Sequence, residues 1–276
     1  MKKTHLIICL AGLVLMSCNS LDKDAVSVNE KHIEDGVEEM DSITPEILGV
    51  VDGQLKKNLI YKGDTSVLIF DYAFYSEIDF AYKDSVNSFI RNRYKRDNGT
   101  KSSWDSVNIN EGLFRDYLQT FSDEFYEFSD GEDEMIWSLE CYVSIDDSRA
   151  DFVELDYGAW SYEGGAHGNG FSQTLIFNKE DGQRLTLDYF FTDIGLLTRK
   201  METVFRKNQG LDSDEDLDEA GFMFRDNKFH LQNNFTFSDQ TFIVYYNSYD
   251  IAPYVFGPTE IRIPLSEIKH LLKRDI

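Results

Sequence analysis

The chain has 276 residues, of which 42% are hydrophobic and 14% aromatic, and this apolar content excludes an intrinsically disordered protein. Its length fits one large domain or two small ones. With 27 basic and 50 acidic residues the formal net charge is −23, which argues against nucleic acid as a partner and favours cationic partners.

The beginning of the chain predicts a secretory signal peptide over residues 1–17. Lys2 and Lys3 precede the apolar run Leu6–Met16, which is followed by Ser17 and Cys18. As a helix this run would rise only about 16 Å, which is too short for the roughly 30 Å hydrocarbon core of a bilayer. Its ending resembles a bacterial lipobox, so Cys18 is the predicted lipid attachment site; an ordinary signal peptide with a cysteine at this position is the alternative.

The segment after the predicted anchor is expected to be an acidic tether over residues 18–52. Acidic residues outnumber basic ones there, and Pro45 and Gly49 interrupt any apolar periodicity. We expect this segment to lift the folded body away from a membrane.

Cysteine usage predicts a fold without disulfides. Cys9 would leave with the signal peptide and Cys18 would carry lipid, so Cys141 has no partner within the chain. Alternate residues of Trp137–Ile145 are apolar, which places Cys141 on the buried face of a strand. We therefore interpret Cys141 as a structural residue and not as a nucleophile.

The first part of the body is predicted to contain a strand and two helices. Alternating apolar residues over Leu68–Phe74 indicate the strand. Apolar residues at helical spacing over Val86–Tyr94 follow Asp84-Ser85 and indicate the first helix. Asn108 and Glu111 resemble a capping box at the start of the second. Its apolar face comprises Phe114, Tyr117, Leu118, Phe121, Phe125 and Phe128.

The rest of the body is predicted to be rich in strands. Polar turns at Asp146–Arg149 and Glu180–Gly182 indicate two hairpins. Asp188 or Thr192 is expected to cap a helix that ends near Gly210. The predicted elements are strands near Trp137–Ile145, Phe152–Tyr162, Ser172–Phe177, Arg184–Leu187, Phe222–Leu231, Thr241–Tyr246 and Thr259–Ile263, and a terminal helix from Ser266.

This order predicts an α+β fold of mainly antiparallel sheet. We expect two packed subdomains with helices on one face, an N-terminal one over 53–165 and a C-terminal one over 166–276.

The sequence carries no signature of a common enzyme class. It has no nucleophile elbow, phosphate loop, dinucleotide fingerprint or zinc-ligand spacing around His32, His167, His230 or His270. The acidic stretch Asp212–Glu219 lacks the glycine and the glutamate that a calcium loop requires. We assign no catalytic residue, metal ligand or cofactor, although a site assembled from distant residues stays open.

Two strings are unusual enough to be candidate binding loops. Ser161–Gly170 has four glycines in close succession. Such a backbone can turn sharply or present amides to a ligand. The alternative is a tight bend in which His167 is hydrogen-bonded locally. Tyr245–Pro258 places several aromatic residues on a connection, where they contact a partner or pack back under the loop. The candidate ligand-binding residues are Tyr162, Gly164, Gly165, His167, Asn169, Tyr249, Tyr254 and Phe256.

These strings carry a resemblance to a known family. Tyr162–Asn169, Phe177–Asp188 and Tyr249–Leu265, in this order, resemble the RsiV/PdaC-type extracytoplasmic module, over roughly Gln54 to the C-terminus. In that family the module is the lysozyme-binding ectodomain of an anti-sigma factor and the non-catalytic N-terminal region of a peptidoglycan deacetylase. The sigma-binding segment, the transmembrane helix and the deacetylase motifs are missing here, so the resemblance implies a binding module and transfers no catalytic residue.

The sequence as a whole predicts a lipid-anchored binding protein of the cell envelope. The ligand implied by the resemblance is a cationic, lysozyme-like protein or peptidoglycan. The composition resembles exported lipoproteins of Bacteroidota, which implies the outer membrane of a Gram-negative bacterium. The alternatives are a cell-wall hydrolase or deacetylase that uses His167 with a carboxylate, and a purely structural envelope protein.

Overall fold

The computed structural model describes residues 49–95, 109–129, 136–238 and 240–276, and the backbone of residues 37–40. These residues belong to one compact unit, 34–276. The predicted signal peptide, Cys18, His32, Asn108 and most of the predicted tether lie outside the described residues. No helix among those described is long and apolar enough to cross a membrane.

Groups of strands and groups of helices follow each other along the described part of the chain. The helices are α1 (Ala81–Tyr94), α2 (Glu111–Ser129), α3 (Leu187–Phe190), α4 (Ile194–Gln209) and α5 (Leu265–Ile268). The strands are β1 (Val37–Met40), β2 (Val50–Tyr61), β3 (Asp64–Tyr75), β4 (Trp137–Asp146), β5 (Phe152–Glu163), β6 (Asn169–Asn178), β7 (Arg184–Leu185), β8 (Phe235–Ser238), β9 (Thr241–Tyr246) and β10 (Thr259–Pro264).

The strands form two sheets, and the predicted α+β fold of mainly antiparallel sheet is confirmed. Strands β1 to β7 lie side by side in chain order, and β8, β9 and β10 form the second sheet. Only β3 and β4 are parallel within these sheets. Parallel neighbours need a long crossover, and α1 and α2 lie in the connection that joins them.

The first hydrophobic core lies between the seven-stranded sheet and helices α1 and α2. Cys141 is 2% exposed on β4, which confirms the prediction that it is buried in a strand. Helix α1 begins at Ala81, earlier than predicted, and the Lys83 ammonium pairs with Asp79 (2.7 Å) next to its first turn. Phe128 was predicted to face the core but is 64% exposed.

The second core is rich in phenylalanine and lies among α3, α4, α5 and the three-stranded sheet. The strand predicted over 222–231 is wrong. Phe222, Phe224 and Phe229 are buried there around Phe205. The positive φ angles of Asp226 and Asn227, 55° and 52°, break the extended conformation between them.

The ends of the C-terminal helices differ in detail from the prediction. The Asp193 carboxylate, and not Asp188 or Thr192, caps α4 by accepting a hydrogen bond from Leu196 N (2.8 Å). The helix ends next to Gly210, as predicted, and Gly210 is in the left-handed conformation. The terminal helix α5 is short and continues as a 3-10 turn over Lys269–Leu271.

Two asparagine side chains complete the edge of β6 where the short β7 leaves it unpaired. Asn234 accepts a hydrogen bond from Thr174 N and donates one to Ser172 O, both at 2.9 Å. Asn247 accepts one from Ser172 N (2.6 Å). These amides satisfy backbone groups that would otherwise be an exposed edge, and they attach the connections around β8 and β9 to the first sheet.

Glu154 is a buried carboxylic acid where β5 meets β8. The residue is 7% exposed, Thr236 Oγ1 donates to its Oε2 (2.7 Å), and its Oε1 has no hydrogen-bond partner among the described residues. Burial raises the pKa of Glu154 from 4.5 to about 7, with smaller contributions from Asp156 and Asp146. The folded protein therefore keeps a proton on Glu154 that the unfolded chain loses from about pH 4.5 upward, so this group destabilises the fold increasingly between pH 4.5 and 7.

Glu154→Gln is expected to stabilise the protein in a pH-dependent way. Glutamine keeps an acceptor for Thr236 and removes the buried charge. Urea unfolding should show little difference from wild type near pH 4.5 and a gain of about 3 kcal/mol at about pH 8. The exposed Glu267→Gln is the control for the change in net charge. A gain that does not grow with pH would contradict the assignment.

Candidate functional site

Trp160 is an exposed aromatic residue that packs against two glycines. It lies on β5 opposite Gly170 of β6 and is 42% exposed. A Cβ added to Gly168 would lie 2.4 Å from Trp160 Cζ2, and one added to Gly170 would lie 3.2 Å from Trp160 Cδ1. The indole therefore occupies the space that side chains at these glycines would fill, which explains two glycines of the unusual string.

The two candidate loops meet in a ring stack. The His167 imidazole lies on the Tyr254 ring with centroids 3.8 Å apart and planes inclined by 12°. Tyr249 follows at 5.7 Å from Tyr254. His167 Nδ1 donates to Gly168 O (2.8 Å), which orients the imidazole. Gly168, which follows His167, packs against Trp160. We call Trp160, His167, Tyr249 and Tyr254 the aromatic face.

Tyr249 is presented by a strained turn. Its φ of 71° is uncommon for a bulky residue. Asp250 Oδ2 accepts hydrogen bonds from Asn247 N (2.7 Å) and Gln232 Nε2 (3.2 Å) and holds the turn in place. Such conformations cost about 1–3 kcal/mol and are concentrated at functional sites. The turn thus keeps a 52% exposed tyrosine ring at the surface at the expense of stability.

The other predicted residues lie apart from this stack. Phe256 contacts Phe222 at 5.5 Å and covers the edge of the second core. Tyr162 is half-buried near the end of β5, and Gly164 starts the loop with a φ of 81°. Asn169 accepts a hydrogen bond from Gly170 N. Gly165 is exposed and no atom lies closer than 3.9 Å to a Cβ built on it.

Trp160 was missed as a site residue because it was assigned only to a strand. The position of Trp160 in the sequence of β5 nevertheless indicates that its side chain is exposed. Leu155 and Tyr157 are on the face of β5 that packs in the first core, and Trp160 has the opposite parity, on the same side as Asp156. A tryptophan on the polar face of a strand, close to a run of glycines, indicates an exposed aromatic surface.

The arrangement is suited to binding. Trp160 and Tyr249 present exposed ring surface, and Glu163 and Asp250 are exposed acids on the two loops. In the part of the chain that the structure describes, no carboxylate is hydrogen-bonded or ion-paired to His167, and no group of three or more His, Cys, Asp or Glu side chains could hold a metal ion. Rigid aromatic groups beside negative charge can contact apolar and cationic groups of a ligand.

Comparison with known proteins gives a fold and a family model. Residues 181–266 match a family described as a protein of unknown function, DUF3298. A crystal structure of a DUF3298 family member from Bacteroides fragilis is 20% identical, with a TM-score of 0.62 over 82% of this chain and 93% of that one. A DUF3298 family protein from Pseudomonas aeruginosa is 15% identical, with a TM-score of 0.50 over 81% and 93%. At these identities the likeness shows the fold alone. No curated protein matches the chain.

Proposed function

We propose that the protein is a lipid-anchored binding protein of the bacterial cell envelope, and that its aromatic face binds a cationic, lysozyme-like protein without catalysis. The observation that carries the proposal is the stack of His167, Tyr254 and Tyr249 at the surface. The strained turn at Tyr249 supports a role in binding, because a ring that is half-exposed gains too little from packing to explain the strain.

Composition and resemblance support a cationic protein as the ligand. Tyrosine and tryptophan dominate the binding energy of protein interfaces when they are buried at the centre of a contact. The formal charge of −23 would attract a basic protein and speed its association. The resemblance of the two loops to the RsiV/PdaC-type module implies the same class of ligand. The proposal includes lipid attachment at Cys18 and location in the outer membrane.

Interferometry with the chain after Cys18 tests the ligand. We expect saturable binding of a c-type lysozyme, with an association rate that falls steeply as salt is raised. Muropeptide fragments form the second arm of the experiment. Binding of muropeptides alone would replace the protein ligand by peptidoglycan, and turnover of peptidoglycan that vanishes in His167→Ala would overturn the non-catalytic proposal.

The variant Tyr249→Ala/Tyr254→Ala should weaken lysozyme binding at least about tenfold, because it removes two of the four side chains of the aromatic face. The thermal midpoint should stay within a few degrees of wild type, since one ring is exposed and the other half-buried. The matched control is Phe80→Ala, which removes a 56% exposed aromatic ring elsewhere. Equal loss of binding in this control, or unchanged binding in the double variant, would refute the assignment.

A further inference from the structure

A cleft of about 180 Å³ lies beside the glycine-rich loop, between α2 and the ends of β5 and β6. The walls of the cleft are apolar at the inner end and polar at the mouth. Buried apolar side chains of Phe121 and Leu139 form the inner end, with half-buried Phe171 beside them. Half-buried Ser161 and exposed Glu163 and Asn169 form the mouth.

The cleft exists because the strand residues become small at this point. Leu155 and Tyr157 fill the core on the helix-facing side of β5. Ala159 and Ser161 continue the same side and leave the space between the sheet and α2 unfilled. The sequence therefore builds a hollow next to the loop that carries His167.

Glu163 gives the mouth of the cleft a negative charge. Ser161 Oγ donates to Glu163 Oε1 (2.8 Å) and orients the carboxylate. Within the described residues the second oxygen accepts no hydrogen bond and the carboxylate has no ion pair. An apolar interior with an acidic mouth is complementary to an apolar group of about leucine size that carries a cation next to it.

We propose that this cleft takes an apolar side chain of the partner protein, whose adjacent cationic group pairs with Glu163. The inference rests on the proposed function, because that function supplies the basic partner protein, and the loop that carries His167 leads directly to Asn169 at the mouth of the cleft. Each methylene removed from water strengthens binding about fourfold. The ion pair at the exposed mouth strengthens it about 1.4- to 5-fold and selects the cation.

Leucinamide is the probe, because at about pH 6 it combines a protonated amine with a leucine side chain. Titration of the 15N-labelled chain after Cys18 should give saturable shifts at the amides of Ser161, Gly170 and Phe171. Neutral N-acetyl-leucinamide should bind the wild-type chain about threefold more weakly than leucinamide does. The Glu163→Gln variant should bind leucinamide about threefold more weakly than the wild-type chain does. Glycinamide, which lacks the side chain, should cause no saturable shift.

Two variants separate the cleft from the aromatic face. Ala159→Ile fills the cleft with a residue suited to a strand and should abolish the leucinamide shifts. Tyr254→Ala should leave them unchanged. If Ala159→Ile fails to fold, Ser161→Val provides the second blocked cleft. Absence of leucinamide shifts with intact lysozyme binding would overturn the cleft and leave the proposed function standing. Leucinamide shifts without any lysozyme binding would support the ligand chemistry of the cleft and overturn the proposed function.

Discussion

Replacing Lys179 with methionine should lower the free energy of unfolding by about 3–5 kcal/mol, because it leaves a buried carboxylate without its counter-charge. Asp147 is 8% exposed, and Lys179 Nζ lies 2.5 Å from its Oδ1 as an ion pair without hydrogen-bond alignment. The same ammonium donates to the carbonyl oxygens of Asp147 (3.1 Å) and Arg149. It therefore joins the end of β6 to the β4–β5 turn.

Two tyrosines complete the environment of Asp147. Tyr75 Oη and Tyr82 Oη donate to its Oδ2 at 2.8 and 3.3 Å. Burial, together with Asp147, raises the pKa of Tyr75 and raises that of Tyr82 to about 12, so both hydroxyls remain donors at neutral pH. Neither can replace the positive charge of Lys179, which is why we expect the loss to be large.

Urea unfolding of Lys179→Met at neutral pH measures this effect. The control is Lys228→Met, at a lysine on the surface, which should change stability by less than about 0.5 kcal/mol. The double variant Lys179→Met/Asp147→Asn should recover part of the loss, because it removes the unpaired charge. Equal stability of Lys179→Met and wild type would show that the ion pair has no net effect.

The Gly158→Ala variant should lose about 3 kcal/mol or more, because a well-packed sheet has no room for the added methyl group. A Cβ at Gly158 would lie 2.4 Å from the backbone oxygen of Phe171 and 2.6 Å from Tyr142 Cε1. Gly158 pairs with Tyr142 of β4 and with Ser172 of β6, so its backbone is held on both sides. The Tyr142 hydroxyl is in turn hydrogen-bonded to Ser172 Oγ (2.5 Å).

Chemical unfolding of three variants checks this explanation. Gly165→Ala is the matched control, because no atom lies within 3.9 Å of its added Cβ, and it should keep wild-type stability. Adding Tyr142→Ala to Gly158→Ala should not restore stability, because the Phe171 carbonyl still blocks the methyl group. Full recovery in that double variant would assign the effect to the tyrosine ring alone.

Regular elements could be predicted from sequence where local periodicity and burial agree. Alternation over Trp137–Ile145 located β4 and the buried Cys141, and helical spacing before Gly210 located α4. The segment 222–231 contains apolar residues in the same density but no strand, because two residues with positive φ interrupt it. The periodicity of apolar residues indicates which residues are buried. It indicates the backbone conformation only where the backbone is regular.

The sequence by itself determined the α+β class, the buried cysteine and the two unusual loops, since each depends on residue order within a short segment. Tertiary structure alone decided that His167 stacks on Tyr254, that Trp160 lies over glycines, and that Asp147 is a buried ion-pair partner of Lys179 and more than a turn residue. These contacts join residues distant along the chain, and they depend on how the sheets, helices and loops pack together. Local sequence patterns do not specify that packing.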